Sequence, residues 1–205
     1  MAVKIGYIVG SLSSTSINRA VFEAVKKNAP QNVEIVEIPI SELPHYAPDY
    51  DADFPQVARD FKAAIEESDA VIVATPQYND SFSGVVKNAI DWASRPWGQH
   101  SFNAKPTAIA TASIAPHGGA KAGALLGAVL EFGQAKLVES QLNVFVGEET
   151  FAADGNFASA ELQEELAHSL RLLQETQPSN LPHFSYTQTA WQHSCECCHA
   201  VCVRA

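Results

Sequence analysis

Residues 10–18, Gly-Ser-Leu-Ser-Ser-Thr-Ser-Ile-Asn, place five hydroxyls and one side-chain amide within eight positions. The stretch lies between an apolar run and a segment of helical spacing, so it joins a buried strand to a helix N-terminus. A phosphate there would meet backbone N–H groups, side-chain donors and the positive end of the helix dipole. No Lys or Arg lies inside the stretch, although Arg19 is adjacent. Neutral donors suffice for a terminal phosphate when aligned amides supply the field. The plainer alternative is a Ser-rich turn in which Ser16 only caps the helix.

A second stretch, residues 75–84, reads Thr-Pro-Gln-Tyr-Asn-Asp-Ser-Phe-Ser-Gly and is expected to be a loop. Pro76 fixes one backbone angle and removes a donor. Tyr78 can lie against a planar ligand, and the N–H groups of residues 77–79 can bond a heterocycle's edge. Trp92, in the amphipathic segment that follows, is expected in the core. A third stretch, residues 113–119, reads Ser-Ile-Ala-Pro-His-Gly-Gly. Paired Gly118 and Gly119 permit close approach of the backbone to a ligand. His117 could bond a carbonyl or a substrate, or simply be solvated.

The elements that must carry these stretches alternate. Strands are predicted at residues 3–9, 33–38, 70–75, 106–113 and 136–146, the last with a break. Helices are predicted at 16–28, 56–68, 84–94, 118–132 and 159–175. A long loop carrying four prolines and three aspartates spans 39–55. Strand–helix repetition of this kind implies a parallel sheet with helices on both faces and right-handed crossovers. Two strand orders satisfy it, 2-1-3-4-5 and 3-2-1-4-5. Either way a ligand belongs at the carboxyl ends of the strands, where the order reverses. In the first order that point lies between the strands ending at Val9 and Thr75, which feed the first two stretches. There is no G-x-x-x-x-G-K-[ST], and the first stretch is not G-x-G-x-x-G; both absences count against the commoner nucleotide-binding motifs.

The whole chain narrows the classes further. Its 205 residues suffice for one buried core, and 46% hydrophobic with 18% charged residues is a globular mix. A net charge of -10 argues against nucleic acid and anionic membranes as partners. No signal-peptide or membrane-spanning run is evident, so the cytoplasm is the expected location. All four cysteines, Cys195, Cys197, Cys198 and Cys202, fall in the last eleven residues. Residues 179–205 lose helical periodicity and read as a disordered tail. Their Cys and His spacing is the alternative, soft-metal reading, though no second cluster completes a zinc framework. No metal site is expected in residues 1–178.

Three stretches, GSLSSTSINR at 10–19, TPQYNDSFSGVVKNAIDW at 75–92 and SIAPHGGAKAGALL at 113–126, resemble the NADPH-dependent FMN reductase family in order and spacing. The resemblance covers residues 1 to about 178. It implies an α/β, flavodoxin-like three-layer sandwich with a five-stranded parallel sheet of order 2-1-3-4-5. It also implies non-covalent FMN, with NADPH or NADH as electron donor and a quinone, azo compound, chromate or free flavin as small-molecule acceptor. By position, Ser11, Ser16 and Asn18 would hold the FMN phosphate, and Pro76, Tyr78 and Asn79 would line the ring and ribityl chain. Ser113, Gly118 and Gly119 would close the pyrimidine side, with His117 beside them. Ser13 and Gln77, counted in the same site, depart from the family's usual Arg and Glu, and the departure bears on subunit contacts. A homodimer or homotetramer is implied. No catalytic side chain is expected, because the flavin carries the chemistry. The rivals are an FMN electron carrier without NAD(P)H turnover and a flavin-dependent sensor or scaffold.

Overall fold

The computed structural model describes residues 2–176. Five long strands form a parallel sheet: β1 (Val3–Val9), β2 (Val33–Glu37), β3 (Ala70–Tyr78), β5 (Pro106–Ser113) and β6 (Lys136–Phe145), in the order β2-β1-β3-β5-β6. This is the expected 2-1-3-4-5 arrangement of the long strands. The tail and its cysteines lie outside the described residues.

The sheet also has a sixth strand that sequence reading missed. Residues 76–83 were expected to be a loop. Instead β3 continues through Pro76 and Gln77 to Tyr78, turns at Asn79 and Asp80, and returns as β4 (Ser81–Phe82), antiparallel to β3. Both turn residues have positive φ, 50° and 62°, as a tight two-residue hairpin requires. Pro76 is tolerated within the strand because β1 makes its last pair with β3 at Val9 and Ala74. At Pro76 only β5 remains alongside, through Ala112, so one fewer ladder bond is at stake.

Helices cover both faces. On one, α1 (Ile17–Lys27) and α5 (Ala160–Glu175) pack their buried stripes on β1, β3, β5 and β6, around Tyr7, Phe22, Leu142, Leu166 and Leu170. On the other, α2 (Gln56–Glu66), α3 (Gly84–Ala93) and α4 (Ala120–Phe132) enclose Ile8, Phe61, Val73, Trp92 and Leu126. Trp92 is fully buried and its indole N–H donates to the Pro44 carbonyl at 2.7 Å, so it belongs to the core as expected. The 39–55 loop folds back over it through Tyr46, Tyr50 and Phe54, with ring centroids 5.2, 5.3 and 5.0 Å away. The expected break in β6 is a register shift: Thr107 pairs with Leu137, but Ile109 pairs with Gln141.

Helix starts follow side-chain chemistry. Ser16, Ser83 and Ser159 cap α1, α3 and α5 by accepting from the N–H three residues on. The exception is α4, entered through Gly118 (φ 60°) and Gly119 (φ 91°), so the helix begins two residues later than the small-residue run suggests.

The tightest point lies where β1 ends. The Gly10 N–H donates to the Ala74 carbonyl at 2.9 Å, and a β-carbon at Gly10 would collide with that carbonyl and with the Val86 side chain. Gly10→Ala is therefore expected to destabilise the fold by about 1–3 kcal/mol through overpacking. Denaturant unfolding checks this; an unchanged midpoint would show that α3 can yield.

Candidate functional site

The three stretches singled out above meet at the carboxyl edge of the sheet. Strand register enforces the meeting: Val9 lies beside Ala74, Pro76 beside Ala112, and Ser113 beside Phe145. Side chains then join the loops. The Ser83 hydroxyl donates to the Gly10 carbonyl at 2.7 Å, linking the first loop to the start of α3. The Ser83 N–H in turn donates to Thr75 Oγ1 at 3.0 Å.

In the first loop Ser11 and Asn18 are buried, Ser16 is half-buried and Ser13 is exposed. Thr15 donates its N–H to Ser13 Oγ at 3.2 Å, and the Ser16 N–H bonds the Ser13 carbonyl at the same distance, which curls the loop toward the first turn of α1. Asn18 is 1% exposed, and its Nδ2 has no partner. A buried amide donor left unpaired is costly unless an acceptor arrives. Arg19 supplies no such charge to the loop. Its guanidinium is held by the Glu37 carboxylate in a two-pronged pair of 2.5 and 2.7 Å, which raises its pKa above the ordinary arginine value. The loop therefore offers neutral donors and a helix N-terminus, a set that fits a phosphate monoester.

The second loop is the β3–β4 hairpin. Tyr78 is 55% exposed at its tip, where a planar ligand could cover it. Asn79 occupies the left-handed turn position beside it. Gln77 points elsewhere: its Oε1 accepts from the Ala122 N–H at 3.3 Å and its Nε2 approaches Asp80 Oδ1 at 3.4 Å. The side chain thus faces the first turn of α4.

The third loop is braced from below. Ser113 Oγ accepts from the Ala115 N–H at 3.1 Å, and His117 Nδ1 accepts from the Gly119 N–H at 3.3 Å, which turns the imidazole back on its own loop. Thr111 is fully buried, with Oγ1 2.7 Å from the Gly118 carbonyl and 2.7 Å from the Asn143 side-chain amide. Its one proton serves the carbonyl, and the amide can turn its NH₂ toward the hydroxyl oxygen. A β-carbon at Gly118 would lie 2.7 Å from the Asn143 backbone, so Gly118 sits directly on β6, while Gly119 faces Thr111 on β5.

Thr111, Asn143 and Ser83 were missed by sequence reading. Their signal was a polar residue inside an otherwise apolar strand end, or a serine opening a helix, and neither signal names a partner. Thr111→Val leaves the Gly118 carbonyl without its buried donor. An expected loss of about 1–3 kcal/mol in unfolding free energy follows, largely restored by Thr111→Ser. Equal stability of the valine variant and the wild type would count against the brace.

Comparison with known proteins agrees with this geometry. A family model described as NADPH-dependent FMN reductase matches residues 3–148. A 2-hydroxy-1,4-benzoquinone reductase from Burkholderia sp. is 40% identical over 167 residues, 81% of this chain and 91% of that protein. An NAD(P)H-dependent FMN reductase from Pseudomonas aeruginosa is 36% identical over 174 residues, 84% of this chain and 94% of that protein. Among solved structures, the flavoenzyme NAD(P)H:(acceptor) oxidoreductase FerB from Paracoccus denitrificans superposes with a TM-score of 0.81 at 33% identity, covering 86% of this chain and all of that one. The resemblance carried by the three stretches is thereby borne out, and the unpaired Asn18 amide with its neutral surroundings suits the phosphate of the family's cofactor. The chain belongs to the NADPH-dependent FMN reductase family of flavodoxin-like, FMN-dependent oxidoreductases that draw electrons from NAD(P)H.

Proposed function

We propose that the protein reduces small quinones with NAD(P)H through FMN held at the carboxyl edge of the sheet. The observation that carries the placement is the unpaired, buried Asn18 amide in the first turn of α1, next to a loop joined to the hairpin's far end. Bound FMN supplies the acceptance and donation of hydride. The chain's own groups bind and orient it. Ser11, Ser16 and Asn18 hold the phosphate with the N-terminal amides of α1. The backbone from Pro76 to Asn79, with the Tyr78 ring, forms one wall of the ring site. Ser113, Gly118 and Gly119 form the opposite edge, and the absence of side chains on the two glycines lets their backbone come close to the ring. Ser13, Gln77 and His117 stand around these groups; Gln77 and His117 act on the loops rather than on the ring. The quinone acceptor is taken from the Burkholderia relative.

The same reading covers partners and place. Among the described residues no helix is long and apolar enough to cross a membrane. The first 194 residues contain no cysteine, which suits the reducing cytoplasm. Residues 1–178 are taken as the flavin-binding unit. The outer side of α4 exposes Ala124, Leu125, Ala128 and Phe132, with Leu125 44% and Phe132 75% exposed. A helix stripe of this kind is unfavourable in water and suits self-association into a homodimer or homotetramer.

Purified protein reconstituted with FMN is expected to be yellow, to bleach on anaerobic addition of NADPH or NADH, and to regain colour on adding a benzoquinone. Failure to take up FMN would sink the site; failure to bleach would favour an electron carrier. Phe132→Glu with Leu125→Glu is expected to lower the mass measured by light scattering to that of one chain.

A further inference from the structure

Asp80 occupies the second position of the β3–β4 turn at φ 62°, where glycine carries no steric penalty and an L-residue does. Its carboxylate is committed on both sides. Oδ2 pairs with the Lys121 ammonium at 2.6 Å, and Oδ1 lies 3.4 Å from Gln77 Nε2. Gln77 in turn accepts from the Ala122 N–H. These contacts run from the tip of the hairpin to the first turn of α4, immediately after Gly118 and Gly119. The side chains of Asp80 and Lys121 are 66% and 61% exposed, so their pair contributes little to global stability. What it does is local. The Lys121 ammonium hydrogen-bonded to Asp80 keeps that carboxyl below the usual carboxylate range, with His117 adding a weaker pull.

We propose that Asp80 is a positioning residue for the flavin reaction: with Lys121 and Gln77 it latches the Asn79–Asp80 turn, and with it Tyr78, to the N-terminus of α4, so that the two loops facing the ring move as one. A glycine there would leave the turn easy to form but unattached. This rests on the placement of Tyr78 and Asn79 against the ring given above. The latch also accounts for Gln77, whose amide is bonded to the first turn of α4. An amide suits this place because it can accept from Ala122 through one atom while offering N–H to Asp80 through the other.

Three variants, Asp80→Gly, Lys121→Met and Tyr78→Ala, test it on the full chain, each titrated with FMN and scanned for visible circular dichroism of the bound flavin. Asp80→Gly is expected to melt, as apo-protein, no lower than wild type, because it relieves the positive φ. It should nonetheless bind FMN about two- to five-fold more weakly at low salt, with altered visible dichroism. Lys121→Met should do the same without touching the turn. Its gap from wild type should close in about 1 M salt, where screening acts over about 3 Å. Wild-type affinity and dichroism in both latch variants, with a changed Tyr78→Ala spectrum, would overturn the latch alone. An unchanged Tyr78→Ala spectrum would overturn the ring placement beneath it.

Discussion

The backbone of Gly10 is wedged between two elements, and the arrangement of the site follows from that contact. Its N–H extends the β1–β3 pairing by one bond to Ala74, and its carbonyl takes the Ser83 hydroxyl. No β-carbon fits between them. The first loop therefore leaves β1 hard against β3 and the start of α3, and cannot swing away from the second. Ser83 does two further things at once: it caps α3 and, through its N–H, secures the strand end at Thr75. Two loops that are 65 residues apart in the chain become one surface through three small residues.

Electrostatics at this surface depend on where the charges are not. The chain carries a net charge of -10, so an anionic cofactor meets a repulsive mean field. Arg19, the cation that follows the first loop in sequence, is drawn to Glu37 at the end of β2. What remains is short range: hydroxyls, an unpaired amide and the first turn of α1. Aligned N–H groups deliver their field to a single point without a mobile charge, so they select a phosphate by position more than by charge.

The third loop shows the same economy in another form. Two glycines in left-handed conformation sit on β6 and β5, and one buried threonine hydroxyl ties down the first of them. The brace works because β5 and β6 pair Thr111 with Asn143. That pairing exists only after the register shift that separates Thr107 from Ile109. A slip elsewhere in β6 would carry Asn143 away from the loop that it supports.

Much of this was legible beforehand. The apolar runs at 3–9, 70–75 and 106–113 read as buried parallel strands, and their alternation with amphipathic helices implies a layered sheet, because such strands must be covered on both faces. The three polar stretches then fall on one edge by topology alone, and the FMN resemblance follows from their residues. What the chain did not reveal depends on distance across the fold. Residues 76–83 read as a loop because Pro and Asn-Asp are loop residues; their hairpin is held partly by Lys121, 41 positions away. Arg19 adjoins the first stretch in sequence, but nothing local shows that Glu37, 18 positions on, holds it. Thr111 and Asn143 are ordinary strand residues until register places them together. Local pattern determines which segments become strands and helices, since each answers to its own periodicity. Partnerships among polar side chains are decided only by tertiary structure, because a hydrogen bond is satisfied by whatever the fold brings within 3 Å.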